Sequence, residues 1–307
     1  MSVIAKDTPY IEIAPDVLMP MVNVGFSNFT QWLEFGGRGI DTSYDYRRLH
    51  INFNALVSDA VHSGIVDRSE IFITTKIPCC PSTWGAEFYP GTEQVCSGVD
   101  EEVIINSPQK EIALGLAHAG IDSADLLLLH WPCDNFEDTI AVYKELEIAL
   151  AKGLTKAIGV SNFNASHLDA LMKRTTIKPA LTQNSYSVGN HFESYSGNDD
   201  TTLEFCKEHG IAYSAWAPLG GYNSYSFNLF NDKVLKSISQ AHNKTVAQIA
   251  MRWLVQKGIA IVTGAWNLQH MHEDLDIFSF ILTAEQMARL EKVRWPAQSE
   301  KNMEVIM

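Results

Sequence analysis

The chain has 307 residues, 46% hydrophobic and 19% charged, with a formal net charge of −13. That is a globular composition, with chain enough to bury a large core without disulfides or metal. The acidic balance excludes nucleic acid and anionic membrane as partners, because both need basic surface, and is read simply as solubility.

The leading segment MSVIAKDTPYIEI has neither an apolar signal core nor an Arg-rich amphipathic presequence. Tyr10–Leu18 then reads as a small hairpin turning at Ala14-Pro15-Asp16, placed to plug the bottom of a barrel. From there short β-branched or Leu-rich runs alternate with helical patterns. The strand candidates are Met21–Gly25, Gly39–Asp41, Glu70–Thr75, Asp125–Leu129, Lys156–Val160, Ala180–Asn184, Ile211–Ala215 and Ala260–Val262. The amphipathic stretches are Phe53–Val66, Glu102–Ala119, Thr139–Lys152, Ala165–Arg174, Thr201–His209, Asn231–His242 and Thr245–Gln256.

Strands alternating with helices imply parallel pairing through right-handed crossovers. Eight such units without a break in composition predict a single domain over 1–307. Its expected fold is a (β/α)8 TIM barrel with an N-terminal hairpin. One connection is out of scale, since about twenty-five residues follow Lys76 before the next helix. It carries Pro78, Pro81, Trp84, Phe88, Tyr89, Pro90 and Gly91, so an enlarged, aromatic-rich loop after the third strand is expected as a substrate wall. All apolar runs are strand-sized, and no membrane span is expected.

Five cysteines (Cys79, Cys80, Cys96, Cys133 and Cys206) are odd in number and irregularly spaced. A disulfide framework is therefore not expected, a reducing cytoplasmic setting fits, and Cys79-Cys80 reads as two loop thiols.

In an α/β barrel, function collects where strands end. Asp41 ends the second strand, Lys76 the third and His130 the fourth. Ser161-Asn162 follow the fifth, Gln183 lies in the sixth and Trp216 follows the seventh. Tyr46 stands five residues beyond Asp41 in the same loop. A tyrosine is a poor acid at its ordinary pKa of about 10. A nearby ammonium stabilises phenolate, an aspartate holds that ammonium in place, and a histidine can orient a carbonyl oxygen by hydrogen bond. The four together suit protonation of a carbonyl oxygen as hydride reaches its carbon.

The segments GIDTSYDY (39–46), IFITTK (71–76), DLLLLHWP (125–132), IGVSNFN (158–164) and PALTQN (179–184) resemble those of the aldo-keto reductase family. APLGG (217–221) and HNKTVAQIAMRWLVQKG (242–258) extend the resemblance over nearly the whole chain. It implies a carbonyl reductase or alcohol dehydrogenase using NADPH or NADH, with Tyr46 as general acid, tuned by Lys76 and Asp41, and His130 orienting the substrate. Ser161, Asn162 and Gln183 would hold the nicotinamide carboxamide, and Trp216 would stack on its ring, since stacking needs only a flat π surface. Pro218, Leu219 and Gly220 would complete the coenzyme wall. Such enzymes bind the dinucleotide without a Rossmann fingerprint, and GLAHAG (115–120) here lies within a helix pattern.

The segment IVTGAWNLQHMHED (261–274) departs from the family pattern. Thr263 and Gly264 stand where a Lys-Ser pair clamps the adenosine 2′-phosphate, and Gln269 or His270 stands where the family has Arg. Glu273 and Asp274 match the usual Glu-Asn. Each charge-assisted bond lost is worth roughly 1.5–3 kcal/mol, so weakened NADPH selectivity is expected. In NVGFSNF (23–29), Asn23, Phe26 and Ser27 replace a more usual Gly, Thr and Trp. Ser27 and the retained Trp131 are the expected pocket residues. His270 and His272 point about 200° apart on a helix, so no metal site is expected there. The expected partner is a small-molecule carbonyl substrate, and the expected state a monomer or weak oligomer. A non-catalytic nucleotide-binding barrel is the competing reading; a hydrolase lacks suitable strand-end acids.

Overall fold

The computed structural model describes residues 8–44, 53–78, 108–193, 197–220 and 229–294, leaving aside the side chains of residues 53, 54, 192 and 193. The strand runs that read as continuously apolar are buried on both faces. ADLLLL of β6 (Ala124–Leu129) and FITTKI of β5 (Phe72–Ile77) have no exposed position. That is the mark of parallel strands covered outside by helices and filled inside by side chains. With β3 (Val22–Ser27), β4 (Gly39–Asp41), β7 (Thr155–Ser161), β8 (Leu181–Ser185), β11 (Ala212–Trp216) and β12 (Ala260–Ala265) they make a closed eight-stranded barrel. The strands follow chain order round the barrel, and β12 pairs with β3 to close it. All eight expected strands are present.

The hairpin forms as expected from β1 (Tyr10–Ala14) and β2 (Val17–Pro20), paired antiparallel, with Asp16 at φ 62° in its turn. Ile13, Val17 and Met19 face the core while Tyr10 and Leu18 face outward. A further two-stranded sheet pairs β9 (Phe192–Glu193) with β10 (Asn198–Asp199).

Helix starts follow local capping chemistry. Asn135 caps the helix Phe136–Ala151, Asn164 caps Ala165–Met172, and Thr245 forms a capping box with Gln248 at the start of Val246–Gln256. The helices Phe29–Glu34 and Ala284–Glu291 were not among the expected stretches. The first is only six residues, too short for periodicity to show, although Asn28 caps it. The second lies beyond the last strand and is announced by a Thr283–Gln286 capping box. The connection from β5 to the helix Pro108–His118 runs through residues 79–107, so the expected enlarged loop falls outside the described residues.

Two features shape the barrel's seam. The β12–β3 register shifts between Thr263/Gly264, with Thr263 opposite Val24 and Gly264 opposite Phe26. Gly25 is the unopposed residue, and a Cβ there would stand 3.2 Å from Val262 Cγ1. Such a bulge re-aims the strand ends beside it. Asn23 is accommodated because its neighbour is Gly39, whose Cβ would fall 2.0 Å from Asn23 Oδ1. The Asn23 amide donates to Pro20 O at 2.8 Å.

Candidate active site

Parallel strands in a closed barrel bring all their C-terminal ends to one rim, so residues far apart in sequence become neighbours. Lys76 Nζ donates to Asp41 Oδ1 and, at 3.0 Å, to Thr42 O. The two side chains are 1% and 3% exposed. Gln183, 142 positions beyond Asp41, donates from Nε2 to Asp41 Oδ2 at 2.8 Å. Both carboxylate oxygens are therefore engaged, and the ammonium is fixed in a water-poor site where its field is strong.

His130 follows β6 and is half-buried, its backbone N–H donating to Ile77 O at 2.9 Å. Its ring lies beside Trp131, centroids 6.0 Å apart. Ser43 Oγ is 3.2 Å from His130 Nδ1. Asn162 is in the left-handed region at φ 64°, and its side chain joins three residues. Its Nδ2 donates to His130 O at 3.0 Å and Ser161 Oγ at 3.1 Å, while its Oδ1 accepts from Trp216 Nε1 at 3.1 Å. Ser161 Oγ donates to Gln183 O at 2.6 Å. The residues expected to hold the nicotinamide are thus tied to one another, to Asp41 and to His130. A tryptophan can be tied in this way where a tyrosine ring would offer no N–H.

Beyond Trp216 the chain turns sharply. Ala217 has φ 51°, Gly220 has φ 93°, and Gly220 N–H donates to Ala217 O at 2.9 Å across Pro218 and Leu219. At the end of β12, Thr263 is buried and Gly264 exposed. The helix Leu268–Leu275 follows, capped by Asn267, and carries His270 on its exposed first turn. Glu273 is half-exposed and accepts from Gln269 Nε2 at 2.7 Å. It also borders a cavity of about 470 Å³ lined by Asn243, Lys244, Thr245, Gln248 and Asp276. Lys244 in that cavity is paired with Asp276. Asp274 is 5% exposed; burial pushes its carboxyl up to about 7 against a bond from Thr263 that acts the other way. Its Oδ2 is buried with no bonding partner among the described residues. From Ile259 to Asp276 the sequence contains no Lys or Arg.

Tyr46 lies outside the described residues. Ser27 is fully buried, and its hydroxyl donates to Ala265 O, joining β3 to β12. Ser43 went unread in the sequence, although it stands between Asp41 and Tyr46. So did a network outside the tetrad, in which Tyr186 donates to Asp200, which also contacts His191 at 3.2 Å. The ligand atoms of His191, Asp200 and Glu291 lie within 4.8 Å of one another, but the Lys257 ammonium stands 2.9 Å from Glu291 and 3.9 Å from Asp200. That ammonium is the resident cation, and burial lowers His191 to about 4, so its ring is neutral. Cys133 is disulfide-bonded, which the irregular cysteine spacing did not reveal, and Cys206 is a free, buried thiol. No described helix is long and apolar enough to cross a membrane.

Similarity to known proteins agrees with this geometry. The Aldo/keto reductase family profile matches residues 29–294. The "9,11-endoperoxide prostaglandin H2 reductase" of Trypanosoma cruzi is 30% identical, over 90% of this chain and 88% of its own length. The "Morphine 6-dehydrogenase" of Pseudomonas putida is 28% identical, over 94% and 92%. Among solved structures, an aldo-keto reductase from a Medee basin deep-sea metagenome library superimposes with a TM-score of 0.77 at 25% identity, covering 96% of this chain and 99% of that one. A Bombyx mori aldo-keto reductase in complex with NADP shares the fold at a TM-score of 0.76 and 23% identity, with 94% of each chain covered. A barrel with a buried lysine–aspartate pair and a histidine at its rim, matched by this profile over most of its length, belongs to the aldo/keto reductase family, whose members use NAD(P)H.

Proposed function

We propose that the chain reduces an aldehyde or ketone to an alcohol, or runs the reverse reaction, with Tyr46 as general acid/base. The observation that carries this reading is the buried Lys76–Asp41 pair, locked by Gln183, whose Asp41 precedes Tyr46 by five residues in the sequence. An ammonium held there stabilises phenolate and brings the phenol's proton affinity toward neutrality. His130 orients the carbonyl oxygen, and Trp131 forms part of the pocket wall.

The described residues fit a dinucleotide. Trp216 offers a half-buried flat ring held by Asn162, and Asp274 Oδ2 is a buried acceptor able to take an N–H or O–H. When bound, the dihydronicotinamide supplies hydride to the carbonyl carbon. Trp216 supports that ring; Ser161, Asn162 and Gln183 orient its carboxamide; Pro218, Leu219 and Gly220 shape the turn beside it. Thr263, Gly264, His270, Glu273 and Asp274 would hold the adenosine end. With no Lys or Arg from Ile259 to Asp276, this segment offers a 2′-phosphate no cationic side chain, so selectivity for NADPH is weakened and NADH can serve as coenzyme.

The test is Tyr46→Phe. The reading expects carbonyl-dependent NAD(P)H oxidation to fall at least a hundredfold, with coenzyme affinity kept. Absence of oxidation by the unaltered protein across a broad carbonyl panel contradicts it and favours a non-catalytic nucleotide-binding barrel.

A further inference from the structure

We infer that Ser43 is a positioning residue that selects which nitrogen of His130 carries the ring proton; the inference rests on the reading of His130 as the group that faces the carbonyl oxygen. Ser43 stands two residues beyond Asp41, so the end of β4 places both the carboxylate for Lys76 and a hydroxyl for His130. It is fully buried. Its Oγ lies 3.2 Å from His130 Nδ1 and 3.5 Å from Lys76 O.

A neutral imidazole has one donor nitrogen and one acceptor nitrogen, and a bond at one fixes the role of the other. A hydroxyl has a single hydrogen to give. If Ser43 donates to Nδ1, the ring proton resides on Nε2, and the edge of the ring away from Ser43 presents a donor. A carbonyl oxygen can only accept, so this is the isomer that orients a carbonyl substrate. If Ser43 instead turns its hydrogen to Lys76 O, it accepts from Nδ1–H, and Nε2 presents a lone pair that repels a carbonyl oxygen.

The distances favour the first arrangement. The contact to Nδ1, at 3.2 Å, is the shorter of the two, whereas 3.5 Å to Lys76 O is at the limit where such bonds weaken. The ring cannot drift from the hydroxyl with its main chain, because His130 N–H is bonded to Ile77 O and His130 C=O to Asn162 Nδ2. Burial of Ser43 limits competition from water for the same hydroxyl. Ser43 need touch neither substrate nor coenzyme; it acts through the ring.

The experiment is proton–nitrogen correlation spectroscopy on full-length protein with isotope-labelled histidine and no substrate, the His130 signal being identified by its loss in His130→Gln. The unaltered protein is expected to show the proton on Nε2. Ser43→Ala is expected to give a mixed or Nδ1–H population, with kcat/KM for a carbonyl lowered about tenfold and NAD(P)H Kd and Tm nearly unchanged. Ser43→Cys, which keeps the volume with a weaker donor, is expected to fall between. A proton on Nδ1 in the unaltered protein, or a His130 spectrum unchanged in Ser43→Ala, overturns the inference. Should His130→Gln reduce carbonyls as well as the unaltered protein, the role of His130 fails, while the spectra still decide what Ser43 does.

Discussion

Lys76→Met tests the energetic core of the site. The substitution keeps length and apolar stem but leaves the Asp41 carboxylate 3% exposed without its ammonium, retaining the neutral Gln183 amide as a donor. Breaking a buried ion pair by removing one partner costs about 3–5 kcal/mol, because the remaining charge cannot be solvated. Against a total stability of about 5–15 kcal/mol, that is a large fraction. Replacing both partners by apolar groups of similar volume is often close to neutral. The double variant Lys76→Met with Asp41→Leu should therefore recover most of what the single variant loses, while remaining inactive. Urea unfolding followed by circular dichroism measures all members of the cycle. A Lys76→Met cost under about 1 kcal/mol, or a double variant as unstable as the sum of the singles, refutes the view that this pair is dry and mutually dependent.

Coenzyme choice is read by fluorescence titration: NADH should bind at least as tightly as NADPH, and His270→Arg with Thr263→Lys should tighten NADPH by roughly tenfold or more per restored charge-assisted bond, leaving NADH unchanged. Asp274 carries a pH signature, since its folded pKa of about 7 lies above the ordinary carboxyl value. The folded state thus binds a proton that the unfolded chain has released, and stability falls as pH rises from about 4 to 7. Asp274→Asn should remove this slope and be the more stable protein at pH about 8, by a few kcal/mol, with the two converging near pH about 4 in coenzyme-free unfolding curves. Asn162→Ala cuts the bonds to Trp216 and His130 O together; coenzyme Kd should weaken severalfold and kcat fall further than the Kd change explains, as single-turnover kinetics would show.

Much of the site was legible because of one topological fact. In a parallel barrel every strand's C-terminal end arrives at the same rim, so strand ends alone assemble Asp41, Lys76, His130, Ser161, Asn162, Gln183 and Trp216 without any geometry. The bond from Gln183 to Asp41 spans 142 positions, yet both were marked by being polar, Asp41 where a buried strand stops and Gln183 within one. What stayed hidden depends on direction rather than position. Ser43 and Ser27 are both small hydroxyls beside strand ends; one meets His130 and the other disappears into the β3–β12 seam. Nothing in spacing tells them apart, because a side chain's aim in a loop or at a bulge follows from local torsion. The helix Phe29–Glu34 was too short for its periodicity to register. The Tyr186–Asp200–Lys257–Glu291 network draws on four segments that no strand-end rule singles out.

The most direct test of the central claim is transfer of deuterium from C4-deuterated nicotinamide coenzyme to a carbonyl substrate, followed by mass spectrometry of the alcohol. The account predicts one deuterium on the former carbonyl carbon with the unaltered protein, and its loss in Tyr46→Phe although coenzyme still binds. Coenzyme binding without label in any alcohol, or undiminished label transfer by Tyr46→Phe, contradicts it.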